Sequence, residues 1–332
     1  MALGGELEAG DSLNIGYYED WMFDQVIDMI VAQYGRERDG EVELFRRFYE
    51  APFQRNVGIR LAALDGERVC GFQSYFYWPY VYQGEKLRSF QSGNSLVSPD
   101  YRGRRIFARL LNFLAETEDR PEIDFLMGFP TEMSYESFIR NGWDNPLDLS
   151  WYIRPINPLS IIGAEVPEPV DWLFKRTAES VDPLYPRWAF ALSKDDDFVE
   201  WRRSCPAQGS EHLYFHHREG SNTIRFELKP NRRGRIQELV IGDIVRDSED
   251  PMLLKNGLQQ LVRAARSHRF LSALSIPINR GSADRTLEKA LRRRAFLRIN
   301  KKINFIVKPI GAVAESTDPA HWQLYRSDID TW

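Results

Sequence analysis

The sequence predicts a mixed α/β protein, an α+β mixed sheet arranged as two tandem lobes. Three observations carry this. Alternating and helically spaced apolar runs follow one another as β-α-α-β-β-β-α-β-α-β over residues 12–155. A proline-bearing stretch, "INPLSIIGAEVPEPVD" (residues 156–171), interrupts that order and reads as a linker. Beyond it the apolar pattern of the first half returns at a constant offset of 148 residues. A chain of 332 residues is long for one compact domain and comfortable for two.

The elements follow in order. "LNIGYYED" (Leu13 to Asp20) alternates as a strand, and "WMFDQVIDMIVAQY" (Trp21 to Tyr34) carries apolar residues at helical spacing. "EVELFRRFYEAP" (Glu41 to Pro52) reads as a second helix, stopped where proline removes a backbone donor. "VGIRLAALDGERVCGFQSYFYWPYVYQ" (Val57 to Gln83) reads as a hairpin, its two β-rich runs joined at Asp65-Gly66. Next come a strand, "KLRSFQSGNSLVSP" (Lys86 to Pro99), and a helix, "RRIFARLLNFLAE" (Arg104 to Glu116). "IDFLMGFP" (Ile123 to Pro130) is a short apolar strand and "MSYESFIRNG" (Met133 to Gly142) a helix with a glycine stop. "LSWYIRPI" (Leu149 to Ile156) closes the lobe as a strand.

With Val97 set against Val245, Leu96 meets Ile244, Leu110 meets Leu258, Phe113 meets Leu261, Leu114 meets Val262 and Leu126 meets Leu274. "FIRNGW" (Phe138 to Trp143) then resembles "LRRRAF" (Leu291 to Phe296) after five inserted residues. Apolar periodicity alone lets helices match in this way, whereas the shared order of elements on both sides favours duplication. The expected layout is a lobe over 12–157, a linker over 158–178, a related lobe over 179–312 and a C-terminal extension over 313–332.

Composition narrows the function classes. Apolar content of 43% and aromatic content of 13% supply real cores. A formal charge of -4 argues against a nucleic-acid coat, so no nucleic-acid partner is expected. Cys70 and Cys205 match no metal spacing and read as free thiols of a reducing compartment. Five scattered histidines make no metal site, so no metal is expected. "MALGGELEAGDSLN" has no basic start before an apolar core, and no apolar run approaches a membrane span. A cytoplasmic protein without a membrane partner is the expectation.

The chemistry concentrates at "SLVSPDYRGRRIFARLL" (Ser95 to Leu111), where a strand breaks at Pro99 and the chain turns directly into a helix. Such a turn exposes the unpaired first N–H groups and the positive end of the helix dipole, which together favour an anion. Gly103 lets backbone approach closely or take positive φ, and Arg102, Arg104 and Arg105 add charge and forked donors. A phosphate or pyrophosphate held mostly by backbone fits, and a solvated basic loop is the plainer alternative.

Val97-Ser98-Pro99-Asp100-Tyr101-Arg102-Gly103, the hairpin Asp65-Gly66 with Gly71, and "SYESFIRNGW" together resemble the GNAT superfamily of acyl-coenzyme A N-acyltransferases. The resemblance covers residues 12–155 and, more weakly, 180–310. Its signature asks for small residues where this chain has Arg105 and Phe107; Ile106-Phe107 is similar to a variant of some members, and Ala108 keeps the next position small. The resemblance implies that backbone at Leu96 and Val97 pairs with a pantetheine arm. It also implies that the amides of Gly103, Arg104, Arg105, Ile106, Phe107 and Ala108 hold the pyrophosphate of acetyl-CoA or another acyl-CoA, with Arg102 beside them. The thioester would lie where the strands ending at Val97 and in "IDFLMGF" splay. In the second lobe Arg102-Gly103 becomes Asp250-Pro251, which removes an amide and adds a repelling charge, so one coenzyme site per chain is expected.

Acyl transfer to an amine needs a base for the amine proton and an acid for the thiolate. The family's tyrosine acid falls at Phe138, which leaves Tyr135 one turn earlier, then Ser134. The strand before the loop offers Gln91, Asn94 and Ser95, and its second-lobe counterpart offers Glu238, a base if it reaches across and otherwise a solvated residue. His216 and His217 fall near a turn. The aromatic run Phe72 to Gln83 and the cations Arg225, Lys229, Arg232, Arg233, Arg235 and Arg292 to Arg294 suit a phosphate-bearing acceptor. The layout is similar to tandem GNAT enzymes that acylate amino sugars linked to nucleotides, so a small-molecule amine acceptor, possibly a nucleotide-linked amino sugar, is the expected partner. Transfer to a peptide, lipid or cell-wall precursor and a non-catalytic binding module are the alternatives, and both monomer and homodimer remain open.

Overall fold

A computed structural model describes residues 13–157, 174–205, 212–268, 271–311 and 313–330. Its first half contains β1 (Leu13–Tyr17), α1 (Phe23–Tyr34), α2 (Arg38–Phe45), α3 (Pro52–Arg55), β2 (Ile59–Asp65), β3 (Arg68–Tyr77), β4 (Tyr80–Tyr82), β5 (Glu85–Lys86) and β6 (Ser89–Val97). Then follow α4 (Ile106–Glu116), β7 (Phe125–Gly128), α5 (Glu132–Arg140) and β8 (Asp144–Pro155). The second half contains β9 (Phe190–Leu192), α6 (Asp196–Ser204), β10 (Leu213–Glu219), β11 (Asn222–Arg233), β12 (Ile236–Arg246) and α7 (Pro251–Ser267). It ends with β13 (Ala273–Asn279), α8 (Thr286–Arg293), β14 (Leu297–Pro309) and β15 (Trp322–Gln323).

The architecture is mixed α/β with two related lobes, as the sequence predicts. One 11-stranded sheet crosses both, in the order β1-β2-β3-β6-β7-β14-β8-β13-β12-β11-β10. Read inward, β2-β3-β6-β7 on one flank mirrors β10-β11-β12-β13 on the other. The two closing strands have crossed over: β14 of the second lobe pairs with β7 of the first, and β8 of the first pairs with β13 of the second. The β8–β14 ladder is antiparallel and nearly symmetric. Leu149 lies opposite Ile303 and Ser150 opposite Lys302, while Leu149 to Lys302 and Ser150 to Ile303 are both steps of 153 residues. A four-stranded sheet, β15-β9-β4-β5, closes one end.

Three apolar clusters follow this plan. α4 and α5 cover one face of the first lobe through Ile106, Leu110, Leu114 and Phe138. α7 and α8 cover the second lobe through Leu258, Leu261 and Leu291. A third cluster joins α1 and α2 to Trp78, Phe190, Trp201 and Trp322, tying the C-terminal segment to the first lobe. The long helices each bury one apolar stripe, whereas the central strands β3, β7, β12 and β13 are buried on both faces.

Several boundaries differ from the sequence reading. The helix expected over Glu41 to Pro52 divides into α2, a π-helical turn over Arg46–Glu50 and α3, because Pro52 opens a new helix rather than closing the old one. The hairpin's second arm ends at Tyr77, and Tyr80–Tyr82 crosses to the small sheet. β8 begins at Asp144, five residues before the expected Leu149, because β14 arrives to pair with it. Residues 158–173 of the expected linker lie outside the described residues; Phe174, just after them, is buried in the second lobe's core. Among the described residues, no helix is long and apolar enough to cross a membrane, and no group of three metal-ligating side chains occurs.

Candidate acyl-transfer site

β6 and β7 run parallel and pair only at Ser89–Phe125, Phe90–Leu126 and Gln91–Met127. β7 then ends at Gly128 while β6 continues to Val97, so the strands open into a fork. A bulge shapes the open arm: Gln73 pairs with Ser95 but Tyr75 with Ser92, which leaves an extra residue around Gly93 and Asn94. A Cβ at Gly93 would sit 2.5 Å from Phe76 Cε2 and 2.7 Å from Ser74 Oγ, so only glycine fits.

Polar side chains line the fork. Asn94 Nδ2 donates to the Tyr49 hydroxyl (3.0 Å), which lies 2.8 Å from Ser74 Oγ, and the Tyr34 hydroxyl donates to Asn94 Oδ1 (3.4 Å). Ser95 Oγ donates to Gln73 Oε1 (2.6 Å), and Gln73 Nε2 donates to Ser92 Oγ (3.1 Å). Burial pushes the Tyr49 phenol far above its ordinary range, partly offset by its bonds to Ser74 and Asn94, so it stays protonated as a donor. At the crotch, Gln91 is fully buried and neither amide atom has a hydrogen-bond partner.

The arginine–glycine loop stands at the mouth of this fork. Gly103 has φ 84° and Arg105, the residue before α4, has φ 58°. No side chain caps the helix, and its first i→i−4 bond is Arg109 N–H to Arg105 C=O (3.0 Å), so the amides of residues 106–108 lie ahead of the ladder. Arg102, Gly103, Arg104 and Arg105 are exposed. Tyr101 anchors the loop by donating to Asp65 Oδ2 (2.8 Å) on the hairpin turn, and the Arg68 and Arg104 guanidinium groups lie 5.2 and 4.9 Å from its ring centroid. Ile106 is buried against Gly71, where a Cβ would approach its Cγ2 to 2.7 Å. Phe107 packs edge-on against Phe138 at 5.4 Å, and Ala108 is half-buried. Leu96 is buried in the core and Val97 half-buried beside Gly71. Successive positive-φ turns, uncapped amides and three guanidinium groups fit a diphosphate.

The twin corner is built differently. Pro251 opens α7 without an N–H, and Asp250 caps the helix by accepting from Met252 N–H at 2.8 Å. The donor a phosphate would use is already taken there. The fork between β12 and β13 is also filled, because Trp322, Leu324 and Asp328 of the C-terminal segment are buried against its walls.

The remaining expected residues divide. Tyr135 is half-buried on α5, which follows β7, and packs against the α4 cluster; Phe138 is core, 5.0 Å from Trp143. Glu238 is not brought to the fork. It lies on β12, five strand spacings and about 24 Å across the sheet from β6. Its carboxylate accepts from Asn231 Nδ2 (2.8 Å) and pairs with Arg233 (3.6 Å). His216 and His217 sit on β10, the far edge strand, where burial lowers the pKa of His216. Sequence reasoning missed the Tyr34 and Tyr49 hydroxyls, since nothing in a helical pattern tells which tyrosine will reach a strand.

No protein-family model and no curated protein matches the sequence. Solved structures do resemble the fold. A GCN5-related N-acetyltransferase from Anabaena variabilis aligns with TM-score 0.62 at 9% identity, over 90% of this chain and 73% of that one. Eis1 from Mycobacterium abscessus gives 0.55 at 12% identity, over 92% and 76%. A GCN5-related N-acetyltransferase from Kribbella flavida gives 0.54 at 11%, over 90% and 71%. At such identities the likeness is one of fold: the chain has the GNAT acyltransferase fold.

Proposed function

We propose that the chain is an N-acyltransferase that takes an acyl group from acyl-CoA and gives it to a primary amine, an amino sugar on a nucleotide carrier. The observation that carries this is the fork between β6 and β7 opening beside the uncapped amides of the Gly103 loop. In this reading residues 12–157 are catalytic, and 179–312 shape the acceptor side without binding coenzyme. The amides of residues 103–108 and Arg102 hold the diphosphate, and the backbone of Leu96 and Val97 receives the pantetheine arm as an added strand. The acyl-CoA supplies an activated thioester carbonyl. Asn94, held by Tyr34 and Tyr49, orients the incoming amine, whose proton passes to solvent water as the C–N bond forms, while Tyr135 gives a proton to the departing sulfur as the C–S bond breaks and recovers one from solvent. The location of Glu238 removes it from this mechanism.

The acceptor's negative charge is inferred from the lobe junction. There the first half of β14 is exposed along Leu297–Lys302, with Arg298, Lys301 and Lys302 among its side chains. An exposed strand carrying three cations, of which Lys302 pairs with Asp148 at 2.9 Å, favours an anionic substrate. Thiol release from acetyl-CoA, followed with a panel of nucleotide-linked amino sugars, tests the reading. Release that requires both the amine and the nucleotide is expected. Release that is equal with an amine-bearing peptide, or absent with every amine, overturns it.

A further inference from the structure

The two lobes carry a cation at one equivalent position and treat it differently. Leu126 of β7 lies opposite Lys308 of β14, and Leu274 of β13, 148 residues on, lies opposite Arg154 of β8. In the first lobe the charge is satisfied: Lys308 Nζ donates to Asn112 Oδ1 (2.9 Å) and to the Asn141 carbonyl (3.0 Å), between α4 and the end of α5.

The second lobe lacks those acceptors. Arg294 stands where the first lobe has Asn141, and the left-handed residues that follow them, Ala295 and Gly142, support the match. Arg266, in the last turn of α7, stands where the first lobe has Glu118. Arg154 is only 9% exposed. Its Nε is sealed from solvent without a partner, whereas Nη1 and Nη2 are not sealed, so the edge of the guanidinium reaches the surface. Two ties bring the three arginines together. Asn157 Nδ2 donates to the His268 carbonyl (2.7 Å) and Ile156 N–H to the Ser272 carbonyl (2.8 Å), which pins the end of β8 beside the end of α7. Arg294 Nη2 donates to Gln259 Oε1 (2.6 Å), which ties the end of α8 to the same helix.

No carboxylate pairs with Arg154, Arg266 or Arg294 among the described residues. α7 contains none, and the one on α8, Glu288, takes Arg285 (2.7 Å) and Arg292 (2.8 Å). Burial lowers the Arg154 pKa, and the neighbouring Arg266 and Arg294 charges lower it further. Three like charges gathered from a strand and two helix ends, one of them on a buried stem, repel one another unless an anion sits between them.

We infer that Arg154, Arg266 and Arg294 form an anion site for a phosphate dianion, free or as a monoester. A tetrahedral dianion offers acceptors to three guanidinium forks at once, while a carboxylate brings one charge and two oxygens in a plane. The site is separate from the coenzyme corner and does not depend on the acyl-transfer reading.

Calorimetric titration of inorganic phosphate into the full Gly103→Asp chain, where like charge opposes binding at the loop, tests this. One site per chain is expected, with acetate binding at least about tenfold more weakly. Glycerol 3-phosphate that binds as well as phosphate assigns the site to a monoester, and binding about tenfold weaker assigns it to the free ion. On the same background Arg266→Gln is expected to weaken phosphate about tenfold and Arg154→Met to abolish it. In phosphate-free buffer Arg154→Met is expected to melt at or above the temperature of the Gly103→Asp chain, because it removes a buried charge that has no counter-ion. Absence of a phosphate site, an Arg154→Met variant that still binds phosphate equally well, equal affinity for acetate, or a lowered melting temperature for Arg154→Met overturns the inference.

Discussion

Gln91 and Arg105 show how single residues in this protein hold conformations that the fold alone does not reward. Gln91 is fully buried at the crotch of the fork with both amide atoms unbonded, whereas its counterpart at the 148 offset, Leu239, is apolar. Gln91→Leu is therefore expected to stabilise the chain by about 1–2 kcal/mol in urea unfolding. If the amide serves the site, acyl transfer falls in the same variant. Arg105 departs from the small residue that the GNAT resemblance asks for, and its backbone takes a left-handed conformation, φ 58°, with its side chain exposed. The sequence marked the departure, but whether the amide pattern survived it depended on φ, which composition does not encode. Tyr135→Phe is expected to lower kcat by about ten- to a hundredfold with acceptor KM unchanged, in steady-state assays of thiol release. An unchanged kcat removes Tyr135 from the mechanism.

At the scale of elements, the C-terminal segment does more than its sequence announced. Read as an extension, residues 313–330 instead fill the second lobe's fork and reach the first lobe's core through Trp322 and Ile329. A buried ion trio pins the segment: Lys194 Nζ lies 2.7 Å from Asp243 and 3.1 Å from Asp328, and Trp78 Nε1 donates to the Asp328 carbonyl at 3.0 Å. Burial pushes the Lys194 ammonium down, but the two carboxylates outweigh it and its pKa is raised. A raised lysine contributes its full stability below the unfolded value of about 10.4 and loses it as pH climbs beyond that point. Asp328 is raised by burial despite Lys194, so ionising it costs some stability as pH rises through the acid range. Lys194→Met, which leaves two buried carboxylates facing each other, is expected to cost about 3–5 kcal/mol in denaturant unfolding. The parent's extra stability over this variant should shrink above pH 10. These contacts were hidden because a lone lysine and two aspartates far apart in sequence carry no periodic signal.

For the whole molecule, repetition was legible and topology was not. The 148 offset places Val97 and Val245 at the ends of equivalent strands, and the helices of the first half follow from their apolar stripes. The exchange of β8 and β14 left no trace in the sequence, since a swapped strand alternates like an unswapped one. It has a mechanical consequence: residues 13–157 alone would lack β14 and expose both β7 and β8 as open edges. The two halves are expected to aggregate when produced singly and to form a soluble complex when produced together. Separate folding of the first half would show that the shared sheet is dispensable. The central claim is that one of two equivalent corners receives a diphosphate. Calorimetric titration of coenzyme A into the full chain tests it most directly. One site per chain, abolished by Gly103→Asp and kept by Pro251→Asp, is the predicted result; two sites, no site, or a Gly103→Asp variant that binds like the parent would contradict it.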